Sequence, residues 1–454
     1  MKFWIKKEND SNPCEGWESS YIMTINRDSG STIFSSLPNL WYHMDQLIIG
    51  SLYEDLFIIG LSVFALDKRV CRKEFPDGWT RYIEVSIPVL EIDKWLSVAD
   101  KWNALLSFLT GDRWSILFRK TEALYSKHKN KNRKRIDVSK CDCVSLFSGG
   151  LDSYCGAIKL LEDEKSPLLI GHNEYPKLRY IQEKFCRDFS ECYQEQSPVF
   201  IGFTAGSRVP VALNGDELKQ TENTSRGRSL LFLCAAISVA GILGENTLVY
   251  IPENGFIGLN VALTNSRKGS CSTRTTHPYF IKGFADIIKM VGIKNQICNF
   301  FAFNTKREIV QMVSETEAFK RGYEDTISCS HPCVARYKKT GSREYPINCG
   351  YCYPCLIRKG SLQDVGGDGR YSNEEPSSEF LKLAAESETS ADFYALLSSI
   401  YRFRKSSEKD IERLILCTGK LTIEEGNEFK RVYSSGMNDL IELLSRDEGM
   451  KEYF

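Results

Sequence analysis

Two adjacent glycines stand between hydroxyl and carboxylate side chains in the run SGGLDS, which consists of Ser148, Gly149, Gly150, Leu151, Asp152 and Ser153. Glycine backbone can approach a ligand closely, and the free N–H groups at the start of a following helix favour a phosphate. The two serine hydroxyls can donate hydrogen bonds to phosphate oxygens. Asp152 would repel these oxygens unless a divalent cation lay between them, so the run predicts a phosphate site that uses Mg²⁺. The run is neither a Walker A loop nor a G-x-G-x-x-G motif.

Three cysteines, Cys349, Cys352 and Cys355, lie at two successive C-x-x-C intervals. Thiolates at this spacing can converge on one Zn²⁺ ion, which takes four ligands in a tetrahedron. We predict Cys329 as the fourth ligand and keep Cys333 in reserve. A site closed by four cysteines has no open position for water or substrate, so we expect it to support folding rather than catalysis. An iron–sulfur cluster is the competing assignment, because cysteine serves both.

The elements around the glycine pair alternate between strands and helices. Apolar runs predict strands at 144–147, 168–171, 199–203 and 248–251, and helical patterns fill the intervals between them. This alternation implies an α/β fold with a doubly wound parallel sheet, in which ligands bind beyond the carboxyl ends of the strands. The SGGLDS run follows the first of these strands directly.

The length of 454 residues indicates about three domains. We predict an N-terminal α+β domain at 1–125, a basic linker at 126–140, the doubly wound domain with the cysteine site at 141–365, and a C-terminal helical region at 366–454. The linker contains the run KHKNKNRKR, residues 127–135. We interpret it as a solvated connection, and the alternative is a contact for a nucleic acid or another acidic partner.

The charge balance is neutral, with 59 basic and 59 acidic residues. It argues against a protein whose main partner is a nucleic-acid backbone, although direct nucleic-acid binding stays open. No apolar run is long enough for a membrane span, and the N-terminus lacks a signal-peptide core, so we expect a cytoplasmic protein. Its 16 cysteines are therefore not expected to form disulfides.

The SGGLDS run matches the SGGxDS pyrophosphate loop of the N-type ATP pyrophosphatases, or PP-loop enzymes. These enzymes cleave ATP between the α and β phosphates and adenylate a substrate oxygen. The runs TISC at 326–329 and CGYCYPC at 349–355 resemble the T-x-S-C and C-G-x-C-x-x-C motifs of one branch, the 7-cyano-7-deazaguanine synthases, or QueC family. The resemblance covers about residues 141–362. The spacing departs from the family, because positions 330–348 separate the two motifs here and the family gap is short.

The resemblance also implies site residues outside the motifs. His172 and Asn173 follow the second strand, where these enzymes hold the adenine. Arg226 and Arg228 lie in a segment similar to the family's "GRN" helix start, and a guanidinium there suits the charge that develops on the α-phosphoryl group. We expect the polar loop 251–280 to form the wall of the second-substrate pocket, with Arg274 and His277 as substrate contacts. The family's Tyr-Pro-Asp-Cys-Arg-Pro run is absent there, and His277 has a purely structural interpretation as its alternative.

The function implied is that of an ATP-dependent ligase that activates a carboxylate of a deazaguanine-like molecule for amide formation and releases AMP and pyrophosphate. ATP, Mg²⁺ and Zn²⁺ are the expected cofactors. A QueC-like core with additions on both sides resembles the QueC-like component of bacterial anti-phage systems, QatC of the Qat system, which implies companion proteins. Two alternatives remain. One is a PP-loop tRNA thiolase or other RNA-modifying enzyme, and the other is a non-catalytic protein that binds a nucleotide and serves as the scaffold of a defence complex.

Overall fold

The computed structural model describes residues 1–25, 31–44, 49–125, 135–222, 226–264, 274–333, 336, 344–366, 371–372 and 388–453. Its strands are β1 (Lys2–Lys7), β2 (Tyr21–Ile25), β3 (Ile33–Ser35), β4 (Tyr82–Val89), β5 (Arg113–Lys120), β6 (Cys143–Leu146), β7 (Pro167–His172), β8 (Val199–Phe203), β9 (Ala205–Ser207), β10 (Val211–Ala212), β11 (Leu248–Tyr250) and β12 (Ile297–Cys298). Its α-helices are α1 (Leu37–His43), α2 (Ser51–Arg69), α3 (Ile92–Leu96), α4 (Ala99–Thr110), α5 (Leu151–Glu162), α6 (Pro176–Cys192), α7 (Gly227–Leu243), α8 (Gly255–Leu259), α9 (Pro278–Val291), α10 (Lys306–Val313), α11 (Glu317–Gly322), α12 (Tyr353–Ser361), α13 (Glu388–Lys405), α14 (Glu408–Leu416) and α15 (Ile423–Ser445).

A sheet of five parallel strands carries the SGGLDS turn. The strands are ordered β12-β11-β6-β7-β8, so the chain starts at the centre with β6 and winds to both sides. Strand β7 is buried along its whole length, as expected where helices cover both faces of a parallel sheet. The apolar residues of α5 and α6 pack together on one face, and those of α7 on the other. This arrangement confirms the predicted parallel α/β core.

The N-terminal region forms a second sheet, ordered β5-β4-β1-β2-β3-β9, with β10 paired to β2. Its first five strands pair in parallel, whereas β9 and β10 pair antiparallel and come from the segment after β8. The apolar residues at 92–109 recur at helical spacing and predict one helix, whereas the structure has two, α3 and α4. The first helix ends at Ser97. The hydroxyl of Ser97 donates to the carbonyl of Lys94 at 2.6 Å and so competes with the helical backbone.

Helices α2 and α7 join the two sheets into one apolar core. The buried residues of α2 and of both sheets belong to the same contiguous cluster as those of α7, which is apolar on all sides. A second apolar cluster is formed by α8, α12 and the C-terminal helices α13, α14 and α15. No helix among the described residues has the length and apolar character that crossing a membrane requires.

Some predicted segments lie outside the described residues. One is most of the basic run 127–135. Another is the segment near 377–386, where apolar spacing predicts an amphipathic helix. The third is most of the basic segment 336–344, which lies between the TISC and CGYCYPC motifs. The proposed domain boundaries therefore remain predictions.

Candidate functional site

The SGGLDS turn lies between the end of β6 and the start of α5. Gly149 has φ +83°, in the left-handed region that favours glycine, and a Cβ there would come within 3.2 Å of Leu178 and 3.4 Å of Gln182. The turn therefore requires glycine at this position on two independent grounds. Gln182 in turn donates from Nε2 to the carbonyl of Phe147 at 2.8 Å, which anchors the strand end.

The hydroxyls of Ser148 and Ser153 lie 3.1 Å apart across this turn. A second chain segment lies against the turn, because the N–H of Ile327 donates to the carbonyl of Gly149 at 2.9 Å. The N–H of Leu151 also donates to the hydroxyl of Ser328, at 3.1 Å. The TISC segment therefore supports the turn directly and brings Cys329 close to it along the chain.

Asp152 is nearly buried at the start of α5 and has two polar partners. Its Oδ1 lies 3.1 Å from Nζ of Lys306, and its Oδ2 accepts from Nδ2 of Asn254 at 2.7 Å. A second carboxylate, Glu253, lies beside it. Burial and the negative charge of Asp152 raise the pKa of Glu253 to about 8, against the lowering effect of Lys306. The carboxyl groups of Asp152 and Glu253 thus both lie near the ammonium group of Lys306.

These residues line a cleft of about 280 Å³ at the carboxyl edge of the sheet. The SGGLDS turn forms one wall, and Glu174, Arg228, Lys306 and Ser328 contribute polar groups to the others. Two larger clefts, of about 410 and 530 Å³, contain none of the predicted site residues. The small cleft is therefore the candidate site. We choose it over the two larger clefts because the turn residues and the charged side chains meet only there among these three.

Arg228 reaches the cleft from the first turn of α7. Its Nη1 forms an ion pair with Oε2 of Glu174 at 2.7 Å, and its Nε donates weakly to Nδ1 of His172 at 3.4 Å. His172 is buried, and burial together with the charge of Arg228 lowers its pKa to about 3. Asn173 is also buried next to it, at the end of β7. His172 is therefore neutral at physiological pH.

His172, Asn173, Arg226, Arg274 and His277 do not line this cleft. Arg226 is buried under the N-terminal region and donates to the carbonyl of Thr110. Arg226 and Arg228 point to different sides because residues two apart on a helix do not share a face. Arg274 lies over the ring of Phe108, 4.9 Å from its centroid. His277 caps α9, which favours the structural alternative for its role.

The structure brings Cys329, Cys349, Cys352 and Cys355 together, with all four sulfurs within 4.8 Å of one another, and Cys333 is not part of this group. Two of the sulfur pairs are 3.9 and 3.8 Å apart. Zn–S bonds of about 2.3 Å in a tetrahedron place sulfurs about 3.8 Å apart, so the cluster fits zinc. Backbone N–H groups donate to the sulfurs of Cys329 and Cys349, at 3.2 to 3.4 Å. These hydrogen bonds stabilise thiolate charge.

Sequence reasoning missed Lys306, Asn254, Glu253 and the role of Ser328. Lys306 begins α10, at some distance from the end of β12, whereas Glu253 and Asn254 come shortly after the end of β11. Polar residues at that position indicate a ligand site in a doubly wound sheet. That signal was available in the sequence. The sequence did not indicate which of these polar residues contact Asp152.

Comparison with known proteins bears on about half of the chain. No family model matches it. Two 7-cyano-7-deazaguanine synthases from Leptospira interrogans serogroup Icterohaemorrhagiae, of serovar copenhageni (strain Fiocruz L1-130) and serovar Lai (strain 56601), are each 27% identical to it over 259 residues. The matched part covers 53% of this chain and 96% of each relative. The similarity supports a QueC-like enzyme. It covers about half of the chain and does not bear on the resemblance to QatC.

Proposed function

We propose that this protein is an ATP-dependent adenylating enzyme that releases AMP and pyrophosphate. The observation that carries the proposal is the position of the SGGLDS turn. It follows the central strand of a doubly wound sheet and opens into a cleft that also holds two cations, Arg228 and Lys306. Backbone N–H groups, hydroxyls and fixed positive charges in one cleft suit a polyphosphate.

The turn residues Ser148 to Ser153 hold the departing pyrophosphate, and Lys306 neutralises part of its charge. Asp152 and Glu253 would hold Mg²⁺. The raised pKa of Glu253 reflects a second negative charge that Lys306 alone does not compensate, and a bound divalent cation would compensate it and release the Glu253 proton. Such an ion supplies charge neutralisation at the phosphates. These assignments make the polar lining of the cleft a site for the β and γ phosphates.

Arg228 pairs with the α-phosphoryl group, where negative charge develops during the transfer. Its ion pair with Glu174 holds the guanidinium at the cleft until a phosphate competes for it. His172 and Asn173 bind the adenine at the end of β7. Arg226 has no direct place at the phosphates in this scheme, and its contribution is to the start of α7.

The substrate acid is a carboxylate on a deazaguanine-like molecule. Its oxygen attacks the α-phosphorus, the bond from this phosphorus to the bridging oxygen breaks, and pyrophosphate leaves. An amine nitrogen then attacks the acyl carbon of the adenylate, AMP leaves, and the nitrogen loses a proton to give an amide. Arg274 and His277 lie within the loop 251–280, which we assign to the acid. The cysteine cluster would hold zinc and support folding.

The regions outside the QueC-like part suggest a setting for this reaction. We propose that the protein acts with companion proteins in anti-phage defence, as the resemblance to QatC implies, and that the amine belongs to such a partner. Co-purification with the products of neighbouring genes is the measurement that checks this part.

The test of the activity is Asp152→Asn, compared with Asp163→Asn at the C-terminal end of the same helix. Asp163 makes an exposed ion pair with Lys159 and lies away from the cleft. Radiolabelled ATP, a deazaguanine carboxylate and ammonia are incubated with each protein, and the products are separated. We expect wild type and D163N to form AMP and pyrophosphate, and D152N to lose about 100-fold or more of this rate, the scale of losing one charge-stabilising group.

Other outcomes contradict the proposal. Release of ADP and phosphate would exclude adenylation. Transfer of sulfur to tRNA would favour the thiolase alternative, and tight ATP binding without turnover would favour the scaffold.

A further inference from the structure

A buried carboxylate from the N-terminal region caps the helix that carries Arg228. Asp67 lies in the last turn of α2 and has no exposed surface. Its Oδ2 accepts from the backbone N–H groups of Arg226 and Gly227, at 2.6 and 2.7 Å, and its Oδ1 accepts from Arg81 at 2.5 Å. A carboxylate at a helix N-terminus satisfies free N–H groups and the helix dipole. Here that carboxylate comes from a helix 159 residues away in the sequence.

The capped turn leads directly to the cleft. Gly227 begins α7 and Arg228 follows it, so the backbone that Asp67 holds is one residue from the arginine. The contact is close, because a Cβ on Gly227 would meet the Cα of Phe64 at 3.1 Å and the Cβ of Asp67 at 3.3 Å. On the cleft side the guanidinium is held by Glu174. The start of α7 is therefore fixed against α2, and the arginine side chain extends from this fixed turn.

The charges around Asp67 show that it is not a ligand group. Arg81 bridges Asp67 and Asp112, and Arg72 adds a bidentate pair to Asp112, all of them buried. Both carboxylate oxygens of Asp67 accept hydrogen bonds, one from Arg81 and the other from the α7 backbone. Asp67 can therefore act only by holding these groups in place. The N–H groups at the α7 start are engaged as well.

We propose that Asp67 is a positioning residue, which sets the place of Arg228 in the nucleotide cleft. The inference rests on the proposed function and deepens it. It makes the N-terminal region a part of the nucleotide site, since the distance from Arg228 to the α-phosphorus depends on how α7 is seated against α2.

The experiment compares Asp67→Asn with Asp55→Asn, a matched control from the same helix. Asp55 is equally buried and also accepts from two backbone N–H groups, those of Leu90 and Glu91, but it anchors the end of β4 instead of α7. The measurements are the affinity for ATP, the rate of AMP formation, the denaturation midpoint, and hydrogen exchange of the peptide 226–233. Each is repeated in an Arg228→Ala background.

We expect both asparagine variants to lose stability, and D67N alone to speed exchange in 226–233. D67N should lower AMP formation about 100-fold, the scale of an ångström-sized misplacement of a catalytic group. Its effect on ATP affinity should vanish when Arg228 is already alanine. If D67N does not fold, Gly227→Ala provides the second variant, because its Cβ pushes the turn away from α2 without removing a charge.

The inference is overturned if D67N and D55N behave alike, or if D67N acts equally with and without Arg228. Wild-type protein that binds ATP but forms no AMP would refute the proposed adenylation, and the affinity comparison would still decide the role of Asp67. Wild-type protein that does not bind ATP would overturn both.

Discussion

The imidazole of His277 acts as a hydrogen-bond acceptor at the start of α9. Its Nδ1 accepts from the N–H of Tyr279 at 3.1 Å, and its Nε2 lies 2.9 Å from the hydroxyl of Thr418. This geometry needs the neutral ring, because a protonated Nδ1 cannot accept. Burial and the charge of Arg274 lower the pKa of His277 to about 4.

The pKa of His277 predicts a pH dependence of stability. In the unfolded chain a histidine has a pKa of about 6.5, so between about pH 6.5 and 4 the unfolded state binds a proton that the folded state does not. The free energy of unfolding therefore falls as the pH falls through this window. His277→Asn keeps a capping acceptor that does not titrate. Between pH 7.5 and 5 we expect wild type to lose about 2 kcal/mol relative to H277N.

Urea denaturation of both proteins at several pH values measures this difference. Other titrating groups, including His172, are common to the two chains and cancel in the comparison. A difference that stays constant with pH would show that His277 is protonated as readily in the folded state.

At the scale of elements, the cysteine cluster joins two segments that support the SGGLDS turn. The segment after α11 supplies Cys329, and the loop before α12 supplies Cys349. Asn348 ties them together as well, because it accepts from the N–H of Ser328 at 2.9 Å and donates to the carbonyl of Thr326 at 3.0 Å. Ile327 and Ser328 then contact the turn. The cysteine cluster and the SGGLDS turn are thus connected through these two segments.

We expect one zinc ion per chain, and Cys352→Ser to lose it. Structural zinc contributes on the order of 10 kcal/mol to folding in small metal-binding units, so the loss should loosen residues 326–329 and weaken ATP binding. Cys333→Ser is the control, since Cys333 lies outside the cluster and should keep both properties. Elemental analysis and ATP titration of the three proteins measure this. Iron in the purified protein, with visible absorbance, would instead indicate the iron–sulfur alternative.

At the scale of the whole molecule, the N-terminal sheet and the five-stranded sheet share one apolar core through α2 and α7. The two helices approach closely at Gly60, where a Cβ would come within 2.8 Å of the side chain of Cys234. Fully buried side chains follow on both sides of this glycine in α2. The N-terminal region is therefore packed into the same core as the five-stranded sheet, in agreement with the contact between Asp67 and α7.

Gly60→Ala and Gly426→Ala should have opposite effects. Both glycines lie within helices, where alanine is intrinsically favoured by up to about 1 kcal/mol. A Cβ at Gly426 meets no atom within 4 Å, so we expect G426A to gain about 0.5–1 kcal/mol. At Gly60 the clash with Cys234 opposes this gain, and we expect a net loss of about 1–3 kcal/mol. Denaturation midpoints measure both, and equal stabilisation would mean that α2 and α7 are not closely packed.

The sequence by itself determined what depends on neighbouring residues. Apolar runs predicted four of the five core strands and their alternation with helices, because side-chain burial repeats within each element, whereas the two-residue strand β12 was not predicted. The SGGLDS turn was recognisable because its torsions and its ligand groups lie in six consecutive residues. The triple of Cys349, Cys352 and Cys355 was recognisable for the same reason.

Only the tertiary structure decided which distant residues meet. It chose Cys329 over Cys333, placed Lys306 and Asn254 on Asp152, and turned Arg226 away from the cleft while Arg228 faces it. The short strands β9 and β10, which join the N-terminal sheet, are too brief to carry a detectable period. Such contacts depend on which strands end together at the carboxyl edge of the sheet, and on how α7 packs against α2. No local pattern encodes that, because the energy of these contacts arises between elements and not within them.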